Sequence, residues 1–149
     1  MAVTRGFAAS VIFAGVAVGL AAPATATPTM SGHYIQTWTS PEGRSGSNDW
    51  YVTPCGDGCA SIATTPGGQP IARAWLVIGQ WTMDTVDDTL CSDNSRVPDA
   101  IAAHYAWDPN TLAGTIQNTD NVSACGDPVG FKWTNTLQLR QAPSGAGAG

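Results

Sequence analysis

Charged residues are scarce in this 149-residue chain, at 11% of the sequence, against about 25% in ordinary globular proteins. So low a content excludes a coiled coil or a charge-laced helical bundle, because both depend on many charged surface positions. Basic residues are especially few, since six Lys and Arg stand against eleven Asp and Glu and form no cluster. Without a basic patch we expect no nucleic-acid partner.

Residue types that commonly carry catalysis are also few. His33 and His104 are the two histidines, Glu42 is the one glutamate, and the sequence has no G-x-S-x-G nucleophile elbow. A nucleophile needs a nearby base, and at neutral pH only the two histidines could supply it. We therefore predict no catalytic residue and keep a secreted hydrolase that uses His104 or His33 as an alternative.

The first 26 residues have the pattern of a secretory signal peptide. Arg5 precedes the uncharged apolar run Gly6–Ala22, and Ala24-Thr25-Ala26 is a small-x-small cleavage site. The alternative is a membrane anchor, but the run lies at the short limit of a membrane span. No cysteine stands directly after the cleavage site, where a lipoprotein carries one, so we expect no lipid anchor and no stable membrane attachment. The prediction is a secreted, extracellular protein.

All four cysteines follow the predicted cleavage site, and export to an oxidising compartment favours disulfides. Four cysteines allow three pairings. Two glycines in Cys55-Gly-Asp-Gly-Cys59 let the chain fold tightly enough for a local bridge, which leaves Cys91 to pair with Cys125. The C-x-x-x-C spacing differs from that of common zinc ribbons and knuckles, so no metal and no cofactor is predicted.

The remaining chain is predicted to form a single all-β domain over residues 27–142, with a disordered tail over 143–149. Its apolar residues recur with a period of two, most clearly in the last strand, where Phe131, Trp133, Leu137 and Leu139 alternate with polar residues. About eight short strands with hairpin-length loops predict an antiparallel meander. An up-and-down barrel is the first choice and a two-sheet sandwich the alternative.

Four segments are predicted in more detail. Ile71–Ile78 is apolar at both parities, which predicts a strand buried on both faces. Gly79-Gln80 fits the central pair of a type II′ turn. Thr85–Pro98 is predicted as an acidic loop and Asn118–Pro128 as a polar loop that carries Cys125.

Four aspartates in or beside the acidic loop could act as ligands of a calcium ion, because hard cations bind several oxygens. Their spacing matches no EF-hand, and a solvated acidic loop is the favoured interpretation: Asp84, Asp87, Asp88 and Asp93.

The six tryptophans are the most unusual feature of the composition. Trp75 shares a strand face with Arg73 and Val77 and is predicted as a ligand-facing or surface indole. His104 is interpreted chiefly as a structural histidine and is the second surface candidate. The other five tryptophans share strand faces with aromatic or apolar residues and are predicted to pack inside: Trp38, Trp50, Trp81, Trp107 and Trp133.

Several motifs of the chain resemble those of small secreted mycobacterial proteins of unassigned function. The most specific is Asp49–Cys59, which contains the pattern W-x-x-x-P-C-G-x-G-C. The three others are Gly32-His33-Tyr34, Gly79–Asp84 and Trp107–Thr115. The chain is more faintly similar to the extracellular modules of receptor-type serine/threonine kinases of the same bacteria. The resemblance implies export and a sensing or binding role, and it implies no activity.

A non-catalytic binding module is the function that these observations favour. Barrel mouths form ready pockets, and the chain is rich in indoles, so we expect a small apolar ligand inside a hollow barrel. The second alternative, beside the hydrolase, is a filled barrel that acts through a surface patch around Trp75 on an envelope or protein partner.

Overall fold

The computed structural model describes residues 26–144 of the chain. The predicted signal peptide, apart from Ala26, and residues 145–149 of the predicted tail lie outside the described residues. The described part contains eight β-strands: β1 (Gly32–Thr39), β2 (Ser45–Gly56), β3 (Cys59–Ala63), β4 (Ala72–Val77), β5 (Gln80–Leu90), β6 (Arg96–Trp107), β7 (Ala113–Asp120) and β8 (Lys132–Gln141).

Each strand pairs antiparallel with the next, and β8 pairs with β1 to close a barrel. The predicted up-and-down meander is therefore confirmed, and the sandwich alternative is wrong. Alternating apolar residues give every strand one inward face, and closure satisfies the backbone groups that an open sheet would leave at its edges.

One end of the barrel, where the N-terminal segment enters, is filled by large side chains. The rings of Trp81 and Trp107 stack at 6.5 Å between centroids, and Trp50 meets Trp107 at 5.7 Å. Met30 is buried against these rings, and its sulfur accepts a hydrogen bond from the Trp107 indole nitrogen at 3.3 Å. The three indoles are at most 3% exposed, so the prediction that they pack inside is confirmed.

The opposite end, which carries the β1–β2, β5–β6 and β7–β8 loops, stays open. The β2–β3 ladder begins at Tyr51 and the β4–β5 ladder ends at Thr82, because β3 and β4 are short. Two strand segments extend past those ladders toward the open end: Ser45–Trp50 of β2 and Met83–Leu90 of β5. The wall is thus lower on one side, and side chains from the rising parts of β2 and β5 face a common space.

The structure contains both predicted disulfides. Cys55–Cys59 closes the β2–β3 hairpin at the filled end, with its Cα atoms 5.0 Å apart. Cys91–Cys125 joins the β5–β6 loop to the β7–β8 connection at the open end, with its Cα atoms 5.2 Å apart. Two disulfides are consistent with an extracellular or otherwise oxidising compartment.

Residues 26–144 contain no helix with the length and apolarity that a membrane crossing requires.

The prediction that Ile71–Ile78 is buried on both faces is wrong. Ala74 is fully buried, whereas Ile71, Trp75 and Ile78 are 52%, 51% and 101% exposed. A barrel strand has one inward face, and in β4 small residues hold it, so Trp75 of the other parity meets solvent. Ile71 and Ile78 lie outside β4, just before and just after it.

The predicted turn at Gly79-Gln80 is displaced by one residue. Val77 pairs with Gln80, so the two-residue loop is Ile78-Gly79. Both residues have positive φ, at 49° and 73°, as a type I′ turn requires. Positive φ is unfavourable for a β-branched residue, which is why sequence reasoning did not place Ile78 there.

One predicted loop is largely strand, and a second is shortened by a strand that runs further than predicted. β5 continues through Leu90 and β6 begins at Arg96, so the acidic loop shrinks to residues 91–95. A register shift between Asp87 and Thr89 of β5 accommodates Pro98 of β6. The predicted polar loop begins at Asn121 instead of Asn118, because β7 continues through Asp120. As a result Asn118 and Asp120 point inward and are 7% and 4% exposed.

Candidate functional site

The open end of the barrel encloses a cavity of about 950 Å³, here called the cup. Its wall is formed by the upper parts of strands β1, β2 and β5–β8 together with the loops between them. Both cysteines of the Cys91–Cys125 bridge line it, so this disulfide ties two sides of the rim together. The barrel is therefore neither hollow throughout nor filled throughout, since indoles plug one half and a cup occupies the other.

Aromatic side chains form part of the cup wall. Trp38 of β1, Tyr105 of β6 and Trp133 of β8 line it, and Phe131 stacks on Trp133 at 5.8 Å between centroids. Trp38 and Trp133 are only half-buried, so the prediction that they pack inside holds for their inward direction, but their rings reach the cavity. These rings offer flat apolar surfaces at the open end.

Trp38 lies directly against the backbone of β2 because Gly46 has no side chain. A Cβ added at Gly46 would stand 2.8 Å from the Trp38 indole nitrogen, closer than real Cβ contacts. Gly46 pairs with Trp38 across the β1–β2 ladder, and its small size lets the indole lie flat on the strand. The sequence thus positions one aromatic wall of the cup through a glycine.

Side-chain amides form the polar part of the cup and its floor. Asn48 donates to the Gln36 carbonyl oxygen at 2.8 Å, and Asn118 donates to the Ile116 backbone oxygen at 3.2 Å. Gln36 is 1% exposed and lies one inward position below Trp38 on β1. Asn135 of β8 lines the same cavity. Four amides at inward positions are unusual in a barrel interior, where apolar residues normally fill the space.

Three polar atoms of this region are buried without a partner. In the described part of the chain, four buried side-chain nitrogen or oxygen atoms lack a hydrogen bond, and one of them belongs to Trp81 in the filled half. The other three are Gln36 Nε2, Asn135 Oδ1 and Asp120 Oδ2. An unpaired buried polar atom costs about 1–3 kcal/mol, so such a cluster is typical of a site that a ligand or water completes.

Asp120 is the buried carboxylate of the cup. Burial raises its pKa above the ordinary 3.8, and the negative charge of nearby Asp127 raises it further. A raised pKa in the folded state means that the fold is favoured by protonation. This contribution is complete below pH 3.8 and is lost as the pH rises through the higher folded-state pKa.

We therefore expect Asp120→Asn to stabilise the protein at pH 7 by about 1 kcal/mol, because the isosteric amide removes a buried charge. At pH 3, where the wild-type carboxyl is protonated, the two proteins should be equally stable. Urea unfolding followed by tryptophan fluorescence at both pH values measures the difference.

Asp108→Asn is the matched control with the opposite sign. The backbone N–H groups of Thr111 and Asn110 donate to Asp108, and they hold the pKa of this exposed carboxyl below its ordinary value. Its contribution is present above pH 3.8 and is lost as the pH falls, so the amide should destabilise the fold at pH 7. An Asp120→Asn variant that loses stability at pH 7, as the control does, would contradict the role given to Asp120.

Tyr105 joins the aromatic and acidic parts of the cup. Burial and the negative charge of Asp87 together raise its pKa to about 12, against a hydrogen bond with Thr85 that lowers it. The Thr85 hydroxyl also donates to Asp87 at 2.8 Å. The phenol stays protonated at neutral pH and can serve the cup as a hydrogen-bond donor.

The rim of the cup is acidic, and two of its carboxylates, Glu42 and Asp88, are paired with arginines. Arg44 is the basic side chain among the described residues that line the cavity, and it lies 3.8 Å from Glu42. Asp88 accepts from Arg96 and from the Asp99 backbone N–H, which lowers the pKa of its carboxyl. A free cationic group that could receive an anionic ligand is therefore missing from the described lining.

The structure does not bring the four aspartates weighed for calcium together, and within residues 26–144 no three His, Cys, Asp or Glu residues are grouped to hold a metal ion. Asp84 pairs with His104, Asp88 with Arg96, and Asp93 with Ser95. Each of these carboxylates is already engaged in a local contact.

Both histidines lie on the outer surface of the barrel. His104 Nδ1 is 2.7 Å from Asp84 Oδ1, and His33 Nε2 is 2.8 Å from Asp49 Oδ1, in both cases across a strand pair. The His104 side chain is 44% exposed and faces away from the cup. The His–carboxylate pairs that the hydrolase alternative requires are thus present, but they lie outside the cavity.

Trp75 also lies on the outer wall, as its predicted face indicates. It is 51% exposed and forms an apolar surface patch with Val77, which is 49% exposed and lies two positions along the same strand face. The two residues named as ligand or surface candidates, Trp75 and His104, are therefore both surface residues and both remote from the cup. Nothing in the described part of the chain covers this patch.

Comparison with protein families, curated proteins and solved structures gives no match. The resemblance to small secreted mycobacterial proteins therefore stays a prediction.

Sequence reasoning missed the cup residues Asn118, Asp120 and Asn135. A signal for Asn118 was available, because it continues the inward alternation of Gly114 and Ile116 along β7. A polar residue at an inward parity position reads as a loop when apolar burial is the sole criterion.

Proposed function

We propose that this protein is a secreted, non-catalytic binding module that takes a small ligand into the cup at the open end of its barrel. The observation that carries the proposal is an open cavity of about 950 Å³ whose lining includes two buried polar atoms without partners, Asp120 Oδ2 and Asn135 Oδ1. A third such atom, Gln36 Nε2, belongs to the side chain that accepts a hydrogen bond from the lining residue Asn48. Cavities of this size are typical of small-molecule sites. Export is supported by the signal-peptide pattern and the two disulfides.

The lining changes the chemistry expected of the ligand. A purely apolar molecule was the expectation from the indole content, but Asn118, Asn135 and Asp120 face the cavity beside the aromatic rings. A purely apolar ligand would displace water from these three polar side chains and leave them without hydrogen-bond partners, at a cost of about 1–3 kcal/mol each. The cup favours a ligand with both flat apolar and hydrogen-bonding surfaces.

The two other functional classes receive less support. A hydrolase needs its base in a cleft beside the substrate, whereas both His–Asp pairs lie on the outer wall. The patch around Trp75 fits a surface-binding role, and its exposure is the observation that favours it as a second candidate.

The indole N–H signals in a two-dimensional NMR spectrum distinguish the cup from the patch. Each tryptophan gives one such signal, and single Trp→Phe variants assign them. When a library of soluble small fragments is screened, we expect the fragments that bind to move the signals of Trp38 and Trp133 and to leave that of Trp75 unchanged. Shifts concentrated at Trp75 would favour the surface patch and would contradict the proposal.

A further inference from the structure

We propose that the ligand of the cup is an uncharged, hydroxyl-rich ring, that is, a neutral saccharide unit. This inference rests on the proposed function and narrows it to a ligand class. It draws on three independent features of the lining: its charge, its unpaired hydrogen-bonding atoms and its aromatic surfaces.

The charge of the lining excludes an anionic ligand. Five acidic residues line the cup, and the described lining offers them one basic side chain: Glu42, Asp87, Asp88, Asp120 and Asp127 against Arg44. Arg44 already faces Glu42. A phosphate, sulfate or carboxylate would enter a negative cavity with no free cation to pair with, and burying an unpaired charge is unfavourable.

The unpaired atoms require a ligand that both donates and accepts hydrogen bonds. Asn135 Oδ1 and Asp120 Oδ2 are acceptors, so each needs a donor. Gln36 Nε2 is a donor at the floor, beside the lining residue Asn48, and it needs an acceptor. An ammonium group offers donors alone, whereas a hydroxyl group offers one donor and two acceptor lone pairs. Several hydroxyls on one molecule match this set.

The aromatic surfaces fit a ring with apolar faces. Trp38 and Trp133 line the same cavity, and Gly46 lets the Trp38 indole lie flat on β2. The hydroxyls of a sugar ring point outward around its edge, which leaves C–H groups on its faces to pack on an indole. The cup therefore offers flat rings for the faces of the sugar and amides or carboxylates for its edge.

Three sugars that share one ring but differ in charge test the inference. Methyl glucoside, methyl glucuronide and glucosamine are neutral, anionic and cationic, and methyl galactoside and methyl mannoside extend the neutral set. Isothermal titration should show saturable binding of at least one neutral glycoside, with a Kd on the order of 1 mM for a single ring. We expect the anionic counterpart of that sugar to bind at least about tenfold more weakly.

Trp133→Ala and Trp75→Ala form the matched pair that places the site. Trp133→Ala should weaken binding at least about tenfold, Trp133→Phe should restore much of it by keeping a flat ring, and Trp75→Ala should leave it unchanged. Urea unfolding of each variant confirms that it is folded. The phenylalanine variant keeps the test valid if the alanine variant fails to fold.

The outcomes separate the ligand class from the site. If the glucuronide or glucosamine binds in the cup more tightly than the neutral sugar, the ligand class is overturned while the cup stands. If a neutral sugar binds and Trp75→Ala abolishes the binding while Trp133→Ala does not, both proposals fall. No saturable binding by any neutral glycoside also overturns the saccharide inference.

Discussion

Gly114→Ala should unfold the protein or destabilise it by about 3 kcal/mol or more, although it adds a single methyl group. Gly114 pairs with Trp107 on one side and with Leu137 on the other. A Cβ at this position would collide with the Ala106 carbonyl oxygen and would stand 2.7 Å from the Trp107 Cα atom. These obstacles are backbone atoms of a strand held on both sides, and Trp107 is fully buried, so they have nowhere to move.

Gly46→Ala is the matched control, because Gly46 is also a strand glycine that lies outside the left-handed region. Its added Cβ would meet the Trp38 ring, which lines the open cup and can rotate into it. We expect a loss of about 1 kcal/mol or less. Urea unfolding of both variants gives the comparison, and equal losses would contradict the close backbone approach of β6 and β7 at Gly114.

Removal of the Cys91–Cys125 disulfide should cost about 4 kcal/mol of stability, because this bridge restricts a long loop in the unfolded chain. The two cysteines are 34 positions apart, whereas Cys55 and Cys59 are 4 positions apart. Because Cys55–Cys59 closes only a short loop, its removal should cost about 2 kcal/mol. Denaturant unfolding of the two double alanine variants, Cys91→Ala/Cys125→Ala and Cys55→Ala/Cys59→Ala, measures both losses.

The two bridges should also differ in their effect on the cup. Cys91 and Cys125 line it, so their removal should disturb the indole N–H signals of Trp38 and Trp133 in the variant that remains folded. Cys55–Cys59 lies at the filled end, and its removal should leave those signals in place. A larger stability loss from the Cys55–Cys59 pair would contradict the account of how each bridge stabilises the fold.

The barrel could be predicted from the sequence because its strands carry a strong period-two signal. Trp81 and Met83 alternate with Thr82 and Asp84, and the first pair is buried at 1% exposure each. The pairing of the four cysteines followed from the short spacing of Cys55 and Cys59 and from the two glycines between them. These features are local, so one segment of sequence is enough to reveal each of them.

The cup could not be predicted, because its residues contradict the local rule that identifies a strand. Asn118 and Asp120 occupy inward positions that would normally be apolar, so β7 reads as if it ended before them. Pro98 in β6 hides a strand in the same way, since the register shift that accommodates it depends on the partner strand β5. Departures from local consistency are typical of functional sites.

The exposed face of β4 illustrates the opposite error. Trp75 and Val77 are apolar, yet they meet solvent because Ala74 and its neighbours of the same parity fill the narrow interior beside them. Inward and outward parity depends on how much space the barrel leaves, which the sequence of one strand does not encode.

The intact mass of the protein secreted by the organism that encodes it, measured under native and then denaturing conditions, tests the central claim most directly. The denatured mass should match a chain that begins at Thr27 and lacks about four hydrogens for two disulfides. Recorded directly in the culture medium, where a weakly bound ligand is not diluted away, the native mass should exceed the denatured one by a ligand on the order of a few hundred daltons, as a cavity of this size allows. A native mass with no addition, in protein that retains both disulfides, would contradict the claim that the cup holds a ligand.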